Sequence, residues 1–129
     1  CRDAFVICDR YIDSTFVYQG FAHDIDISAL EKVHQFACGG LMPDLTFLLD
    51  VSPEIGLQRA LGRSGSSADA ESRFEGKGKD FHEKVREGFL ELAQRFSKRF
   101  VVIDASGTPD ETDDIVIEAL KARLPVGYK

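Results

Sequence analysis

The sequence has no tryptophan, one methionine and only three cysteines among its 129 residues. An odd number of cysteines without metal-like spacing predicts reduced thiols and no disulfide framework. The three histidines are scattered, which does not favour a metal cluster. No apolar run is long enough to span a bilayer, and no basic start followed by a long apolar stretch indicates a signal peptide. We therefore expect no membrane association and a cytoplasmic location.

The sequence also lacks an excess of basic residues. Its 16 Lys and Arg against 22 Asp and Glu give a formal net charge of -6. Non-specific nucleic-acid binding needs a basic surface, so nucleic acid is not an expected partner. A nucleotide ligand is compatible with this charge, because a few well-placed arginines are enough to bind one phosphate cluster.

Three short apolar runs are each followed by an aspartate. They are Phe5–Cys8 before Asp9, Thr46–Leu49 before Asp50, and Val101–Ile103 before Asp104. Apolar runs without alternation fit strands that are buried on both faces of a parallel sheet. The pattern therefore predicts three parallel strands, with Cys8 buried in the first.

Helical patterns separate these runs. Ser28 begins a capping box for a helix to Ala37, and Ser52-Pro53 and Thr108-Pro109 are typical helix starts. A stripe of large apolar residues at helical spacing runs from Phe81 to Phe96. Strands that alternate with helices predict an α/β fold, with a parallel sheet and flanking helices, in a single domain over residues 1–129. The segment at about 64–79, rich in Ser, Gly and charge, is predicted to be a lid loop.

The end of the first predicted strand is a candidate ligand site. Ligands of open α/β sheets sit at the carboxyl ends of the strands, where Asp9 and Arg10 fall. An aspartate there can hold magnesium through water, and an arginine there can bind a phosphate with a planar fork of donors. The alternative is that Asp9 caps the next turn and Arg10 pairs with a surface acid.

The run from Asp9 to Gly20 reads DRYIDSTFVYQG. It resembles the DR(Y/H) signature of thymidylate kinases, followed by their Ser-x-x-x-Tyr-Gln-Gly segment, with Val17 where the family usually has Ala. The likeness continues along the chain through Met42–Glu54, Gly56–Arg59, Ser72–Glu75, Phe89–Ala93 and Ile103–Ala105. The resemblance implies a P-loop NTPase fold and an enzyme of dTTP biosynthesis that transfers the γ-phosphate of ATP to dTMP, giving dTDP.

The resemblance also implies roles in acceptor binding. Arg10 would bind the dTMP phosphate near the transferred group, and Asp9 would help to place Mg²⁺ and orient that arginine. Tyr18 would pack beneath the deoxyribose, where its ring disfavours a 2′-hydroxyl. Ser14 and Gln19 would face the thymine end. Without the resemblance, Tyr18 could equally be a core aromatic residue.

For the phosphate donor, the resemblance makes Arg73 a lid arginine that reaches the transferred phosphate. Arg59 and Arg63 would lie along the adenine and phosphates of ATP, where a guanidinium can stack on a flat ring. Asp104 and Ala105 would belong to a turn that lines the adenine site with backbone groups. The alternative for these arginines is a solvated surface charge.

No phosphate-binding loop G-x-x-x-x-G-K-[ST] occurs in the sequence. Gly76–Lys79 looks similar but does not fit, because Asp80 follows Lys79 and Arg73 occupies the position of the first glycine. The resemblance places this loop and its strand in an N-terminal half. We therefore expect the chain to be the C-terminal part of a kinase domain, with an incomplete sheet, no activity alone, and either low stability or completion by another chain.

Two further expectations concern the partner and the rival functions. Thymidylate kinases are commonly homodimers, and the helix Ser28–Ala37 is the candidate for part of that interface.

One rival function is that of another P-loop nucleoside or nucleotide kinase, which usually shows Glu-Arg-Ser at the equivalent strand end. The other rival is a non-catalytic α/β ligand-binding module, which would have no need of a phosphate-binding loop.

Overall fold

A computed structural model describes residues 5–64 and 78–123. The chain divides into two compact units, Cys1–Met42 and Pro43–Lys129, referred to below as the N-unit and the C-unit. The described residues of the N-unit form helices, and those of the C-unit form a parallel sheet with helices. No helix in the described ranges is both long and apolar enough to cross a membrane.

The N-unit has two α-helices joined by a π-helix. Helix α1 spans Ile12–Thr15, the π-helix spans Phe16–Phe21, and α2 spans Ile27–Cys38. Ile12, Phe16 and Val17 are its buried apolar side chains, with Val17 fully inaccessible to solvent. The core of this unit therefore lies on the α1 and π-helical segment.

Helix α2 confirms the predicted helix but has a different cap. Asp26 precedes it, and its Oδ1 accepts a hydrogen bond of 3.0 Å from the Ser28 backbone nitrogen. Hydrogen bonds from the Ser28 hydroxyl and backbone hold the pKa of the Asp26 carboxyl below its usual value. The helix ends at Gly39, whose φ of 63° favours glycine. The capping box predicted at Ser28 is therefore wrong by two residues.

The predicted strand Phe5–Cys8 is also wrong in this structure. Residues 5–8 have neither helix nor strand conformation, and Val6 and Ile7 are 89% and 96% exposed. Cys8 is exposed as well, and its thiol donates to the Arg10 carbonyl at 2.9 Å. A strand forms only where a neighbouring strand accepts and donates its backbone hydrogen bonds, and the described sheet has two strands, both in the C-unit.

The C-unit confirms the other two predicted strands. Strand β1 spans Thr46–Asp50 and β2 spans Phe100–Asp104, and they pair in parallel from Thr46↔Phe100 to Asp50↔Asp104. The register brings the two strand-ending aspartates side by side at the carboxyl edge. This sheet and its helices confirm the α/β class.

Three helices of the C-unit were predicted from their caps and apolar spacing. Helix α3 spans Pro53–Ser64, α4 spans Gly78–Arg95 and α5 spans Pro109–Arg123. Helices α4 and α5 contact β2, and α4 also contacts β1 and α3. Val85 and Leu92 of α4 are buried with Phe100 and Ile103 of β2. The core of this unit therefore lies between α4 and β2.

The caps of the C-unit behave as predicted. Thr108 and Glu111 form a reciprocal capping box at the start of α5: the Thr108 nitrogen donates to Glu111 Oε2 at 2.7 Å, and the Glu111 nitrogen donates to Thr108 Oγ1 at 3.2 Å. The same backbone hydrogen bond lowers the pKa of Glu111. At the predicted lid, about 64–79, Ser64 ends α3 and Gly78 begins α4, and residues 65–77 lie outside the described residues.

Candidate functional site

Arg10 and Tyr18, two of the predicted acceptor-binding residues, lie together in the N-unit. The Arg10 guanidinium carbon is 5.8 Å from the centroid of the Tyr18 ring. A hydrogen bond with the Tyr18 side chain, and to a smaller extent the charge of Asp9, raises the pKa of Arg10. The arginine is exposed and the tyrosine half-buried. A permanent positive charge therefore lies beside an aromatic ring at the surface of the unit.

The π-helix determines where Tyr18 and Gln19 lie. Its wider turn is closed by hydrogen bonds to the fifth preceding residue, as from the Ala22 nitrogen to the Val17 carbonyl at 2.9 Å. Tyr18 is half-buried on it, whereas Gln19 is exposed. Single π-helical turns frequently occur at functional sites. The sequence carries no recognised signal for this turn.

Gly20 lets the π-helix approach α2. A Cβ atom at this position would clash with the Ile27 side chain, and it would lie 3.5 Å from Leu30 Cδ1. Glycine therefore leaves room for the end of the Ile27 side chain at this close approach of the π-helix to α2 within the N-unit. In the Tyr-Gln-Gly triplet, the side chain of Tyr18 is half-buried and that of Gln19 is exposed, whereas Gly20 packs against α2.

Tyr11 connects the segment after Arg10 to α2. Its ring lies edge-on to His34, with centroids 5.7 Å apart, and His34 Nε2 is 2.8 Å from the Leu41 carbonyl oxygen. His34 is buried. Desolvation, followed by a hydrogen bond with Cys38, raises the pKa of Tyr11. The sequence did not single out His34 as a functional residue. Its partners, the Tyr11 ring and the Leu41 carbonyl, give it a structural role within the N-unit.

Asp9 and Ser14 complete the predicted acceptor set. Asp9 is exposed directly before Arg10, and Ser14 is half-buried in α1 with its backbone nitrogen 3.0 Å from the Tyr11 carbonyl. Within the described part of the chain, no three His, Cys, Asp or Glu side chains are grouped to hold a metal ion. The donor chemistry of Asp9 fits Mg²⁺ held through water, since one exposed carboxylate can accept from a coordinated water.

The C-unit brings together three of the predicted ATP-binding residues. Arg59 of α3 donates to the backbone carbonyls of Ala105, Ser106 and Gly107, at 2.7, 2.8 and 2.6 Å. Asp104 Oδ1 accepts from the Ser106 nitrogen at 2.9 Å, and hydrogen bonds from Ser106 lower the pKa of Asp104. Arg59, Asp104 and Ala105 therefore meet at the turn that follows β2.

An ion pair that sequence reasoning missed lies at the end of β1. Arg86 of α4 donates to both carboxylate oxygens of Asp50, at 2.6 and 2.7 Å. The hydrogen bonds from Arg86 lower the pKa of Asp50, and Asp50 raises that of Arg86. The sequence does show an aspartate at the end of the strand. No local sequence pattern, however, indicates that Arg86, 36 residues later, would pair with it.

The remaining predicted site residues are Arg63 and Arg73. Arg63 belongs to α3, and its side chain lies outside the described part of the structure, as does Arg73 altogether. Lys79, at the start of α4, forms an ion pair with Glu54 of α3 at 3.1 Å, which raises the pKa of the lysine. This exposed ion pair therefore links the start of α4 to the start of α3.

The chain resembles known proteins over nearly its whole length. Residues 2–116 match the sequence model of a family described as thymidylate kinase. Thymidylate kinases of Geobacter sp. (strain M21) and Desulfosudis oleivorans are 44% and 46% identical to it, over 95% and 93% of the chain and 55% and 56% of their own length. The chain thus spans about half the length of these relatives.

A solved structure agrees. The crystal structure of a thymidylate kinase from Ehrlichia chaffeensis is 26% identical, with a TM-score of 0.63 over 95% of this chain and 54% of that chain. It confirms the predicted P-loop NTPase fold, present here as an incomplete sheet with flanking helices.

Proposed function

The chain belongs to the thymidylate kinase family, and we propose that the protein is a dTMP kinase, which transfers the γ-phosphoryl group of ATP to dTMP. The product is dTDP, a precursor in dTTP biosynthesis. The single observation that carries the proposal is the Arg10–Tyr18 contact, because it joins a phosphate-binding group to a surface for the sugar in the family's signature segment. Residues 1–129 then belong to one kinase domain, with a lid at about 64–79.

The acceptor nucleotide binds in the N-unit. The planar guanidinium of Arg10 binds two oxygens of the dTMP phosphate, and Asp9 orients it and helps to place magnesium. The Tyr18 ring packs beneath the deoxyribose, while Ser14 and Gln19 face the thymine. The exposure of Arg10 and the half-burial of Tyr18 leave both accessible to a ligand.

The donor nucleotide, ATP, binds at the C-unit residues Arg59, Arg63, Asp104 and Ala105, and Arg73 reaches the transferred phosphate. Phosphoryl transfer depends mainly on positioning and on neutralising the charge of the transferred group. Mg²⁺ supplies part of that neutralisation when bound. The 129-residue chain alone is proposed to be inactive, because its sequence contains no phosphate-binding loop.

The assay uses the complete product, meaning the protein encoded by the whole reading frame that contains this chain. ATP-dependent phosphorylation is measured with dTMP, CMP and thymidine as competing acceptors. Turnover of dTMP far above the other two supports the proposal. A preference for thymidine or CMP indicates another nucleotide kinase. Binding of nucleotide without turnover of any acceptor indicates a non-catalytic module.

The Arg10 role is tested in the same assay. Arg10→Gln removes a charge-assisted phosphate contact, so kcat/KM for dTMP is expected to fall by at least about a hundredfold. Arg95→Gln in α4 is the matched control, because Arg95 lies against Phe96 and has no proposed role in the site. Equal activity of the two variants contradicts the proposed role.

The protein is further proposed to be a cytoplasmic homodimer that binds no nucleic acid. Val33 and Phe36, one turn apart on α2, are 64% and 94% exposed, which leaves an apolar stripe for a second copy. Phe36→Asp is expected to shift the complete product to monomer in sedimentation velocity, whereas Gln35→Asp on the same helix is not. A wild-type monomer, or a dimer unaffected by Phe36→Asp, contradicts this interface.

A further inference from the structure

One arginine spans three consecutive carbonyls in the C-unit. Arg59 Nη1 donates to Ala105 and Nη2 donates to both Ser106 and Gly107, from a position 46 to 48 residues earlier in the chain. A guanidinium has five donors in a rigid fork, which suits several fixed acceptors at once. A lysine has one ammonium group and cannot reproduce this spread of donors.

Three further sets of hydrogen bonds fix the same turn. The Ala105 nitrogen continues the sheet by donating to the Asp50 carbonyl at 2.8 Å. The Asp104 carboxylate accepts from the Ser106 nitrogen, and the capping box of Thr108 begins α5 directly after Gly107. On the carbonyl side of the turn, the Arg59 guanidinium donates to all three oxygens.

We infer that Arg59 is a positioning residue that acts on the nucleotide through the Ala105–Gly107 turn, by fixing its three carbonyls. The inference rests on the proposed function in so far as this turn lines the adenine of ATP. It goes beyond the expectation of direct stacking, which uses the face of the guanidinium, because the in-plane N–H donors of Arg59 contact backbone oxygens of the turn. Loss of the guanidinium then frees the turn even in the nucleotide-free protein.

The first measurement is hydrogen exchange of the nucleotide-free complete product, followed by mass spectrometry. Arg59→Gln is expected to increase exchange on the order of tenfold in peptides covering 105–109, since a charge-assisted contact is lost. Peptides of α2 are the internal reference, and Arg95→Gln is the matched control. Unchanged exchange at the turn overturns the inference, because a residue that only stacks on adenine does not affect the empty site.

The second measurement separates positioning from general destabilisation. The KM for ATP in Arg59→Gln is expected to rise on the order of tenfold, while the KM for dTMP and kcat stay within about threefold. Arg59→Lys is expected to recover less than half of the lost exchange protection, because the ammonium cannot reach three carbonyls. Full recovery by lysine, or an equal rise of both KM values, overturns the inference.

The two measurements distinguish this inference from the proposed function. If the complete product phosphorylates no acceptor, the proposed function fails, and the exchange experiment still decides whether Arg59 holds the turn. ADP binding by calorimetry then replaces the KM for ATP, and affinity that is unchanged in Arg59→Gln overturns the link to the nucleotide. If turnover is normal but exchange is unchanged, the function holds and this inference fails.

Discussion

The two units differ in how far apart in sequence their contacting residues lie. In the C-unit, side-chain hydrogen bonds join residues 36 apart, as in Arg86–Asp50, and 53 apart, as in Arg99–Thr46. In the N-unit, the hydrogen bonds Ser28–Asp26 and His34–Leu41 join residues two and seven apart, and the ring contact of Tyr11 with His34 joins residues 23 apart. The hydrogen bonds that close the C-unit thus span longer stretches of chain than the contacts that organise the N-unit.

The exposed apolar residues show the consequence of this difference. Ile7 and Phe36 of the N-unit are 96% and 94% exposed, although the first belongs to a run that predicts a buried strand. In the C-unit, β2 obtains its partner from β1 and its cover from α4 and α5. An apolar run therefore becomes a strand only where a neighbour supplies backbone partners and a covering layer.

The largest expected effect concerns the C-unit core. Leu92 of α4 is 1% exposed, so Leu92→Ala should lower the free energy of unfolding of the complete product by about 3 kcal/mol, through lost burial and a cavity. Leu120→Ala in α5 is the control, since Leu120 is 37% exposed and should cost about 1 kcal/mol or less. Urea denaturation followed by circular dichroism measures both. Equal costs would contradict the assignment of the core.

The second prediction compares one glycine from each unit. Gly20→Ala should cost about 0.5–1.5 kcal/mol, because its Cβ clashes with the end of the Ile27 side chain and forces that side chain into another rotamer. Gly62→Ala in α3 should instead stabilise by about 0.5–1 kcal/mol, because its Cβ meets nothing within 4 Å and alanine favours helix. The same urea denaturation applies, and effects of the same sign would break the comparison.

The third prediction concerns the Asp50–Arg86 pair. Arg86 holds the folded pKa of Asp50 below its unfolded value of about 3.9. Its stabilisation is therefore complete above that value and is lost as the pH falls through the folded pKa. Asp50→Asn should cost about 1 kcal/mol at pH 7, a small value because the Arg86 side chain is 41% exposed.

The measurement is urea denaturation at several pH values from 7 down to 2. The difference between wild type and Asp50→Asn should shrink towards zero at the acidic end, where the wild-type carboxyl is also neutral. Glu87→Gln, at an exposed neighbour of Arg86 on α4, serves as the control and should change stability little at either end. A difference that is independent of pH would show that the ion pair does not stabilise the unit.

The smallest expected effect is at Ile7 in the 129-residue chain. With this side chain 96% exposed, Ile7→Ser should change the unfolding free energy by no more than about 0.5 kcal/mol. In the complete product, where the resemblance places a partner strand beside residues 5–8, the same change should cost at least about 1 kcal/mol. A neutral result in both proteins would show that this run is not a strand in either.

Much of the fold and part of the candidate site could be predicted from local pattern. Asp50 and Asp104 mark the ends of two strands that the structure confirms, and Pro53 and Pro109 begin two helices as predicted. The cap of α2 was placed two residues late, because Ser28 and Asp26 are both good capping residues and the choice depends on backbone conformation. The roles assigned to Arg63 and Arg73 stay predictions, since neither side chain is described.

The sequence by itself determined the strand and helix types of the C-unit, because apolar runs and caps act over a few residues. It also identified the family, through the resemblance of Asp9–Gly20 and of the later segments to thymidylate kinases. Only the tertiary structure decided that Arg59 binds the carbonyls of the turn after β2 and that Arg86 pairs with Asp50. A guanidinium can pair with any acceptor within reach, and the chain path alone determines which acceptors those are.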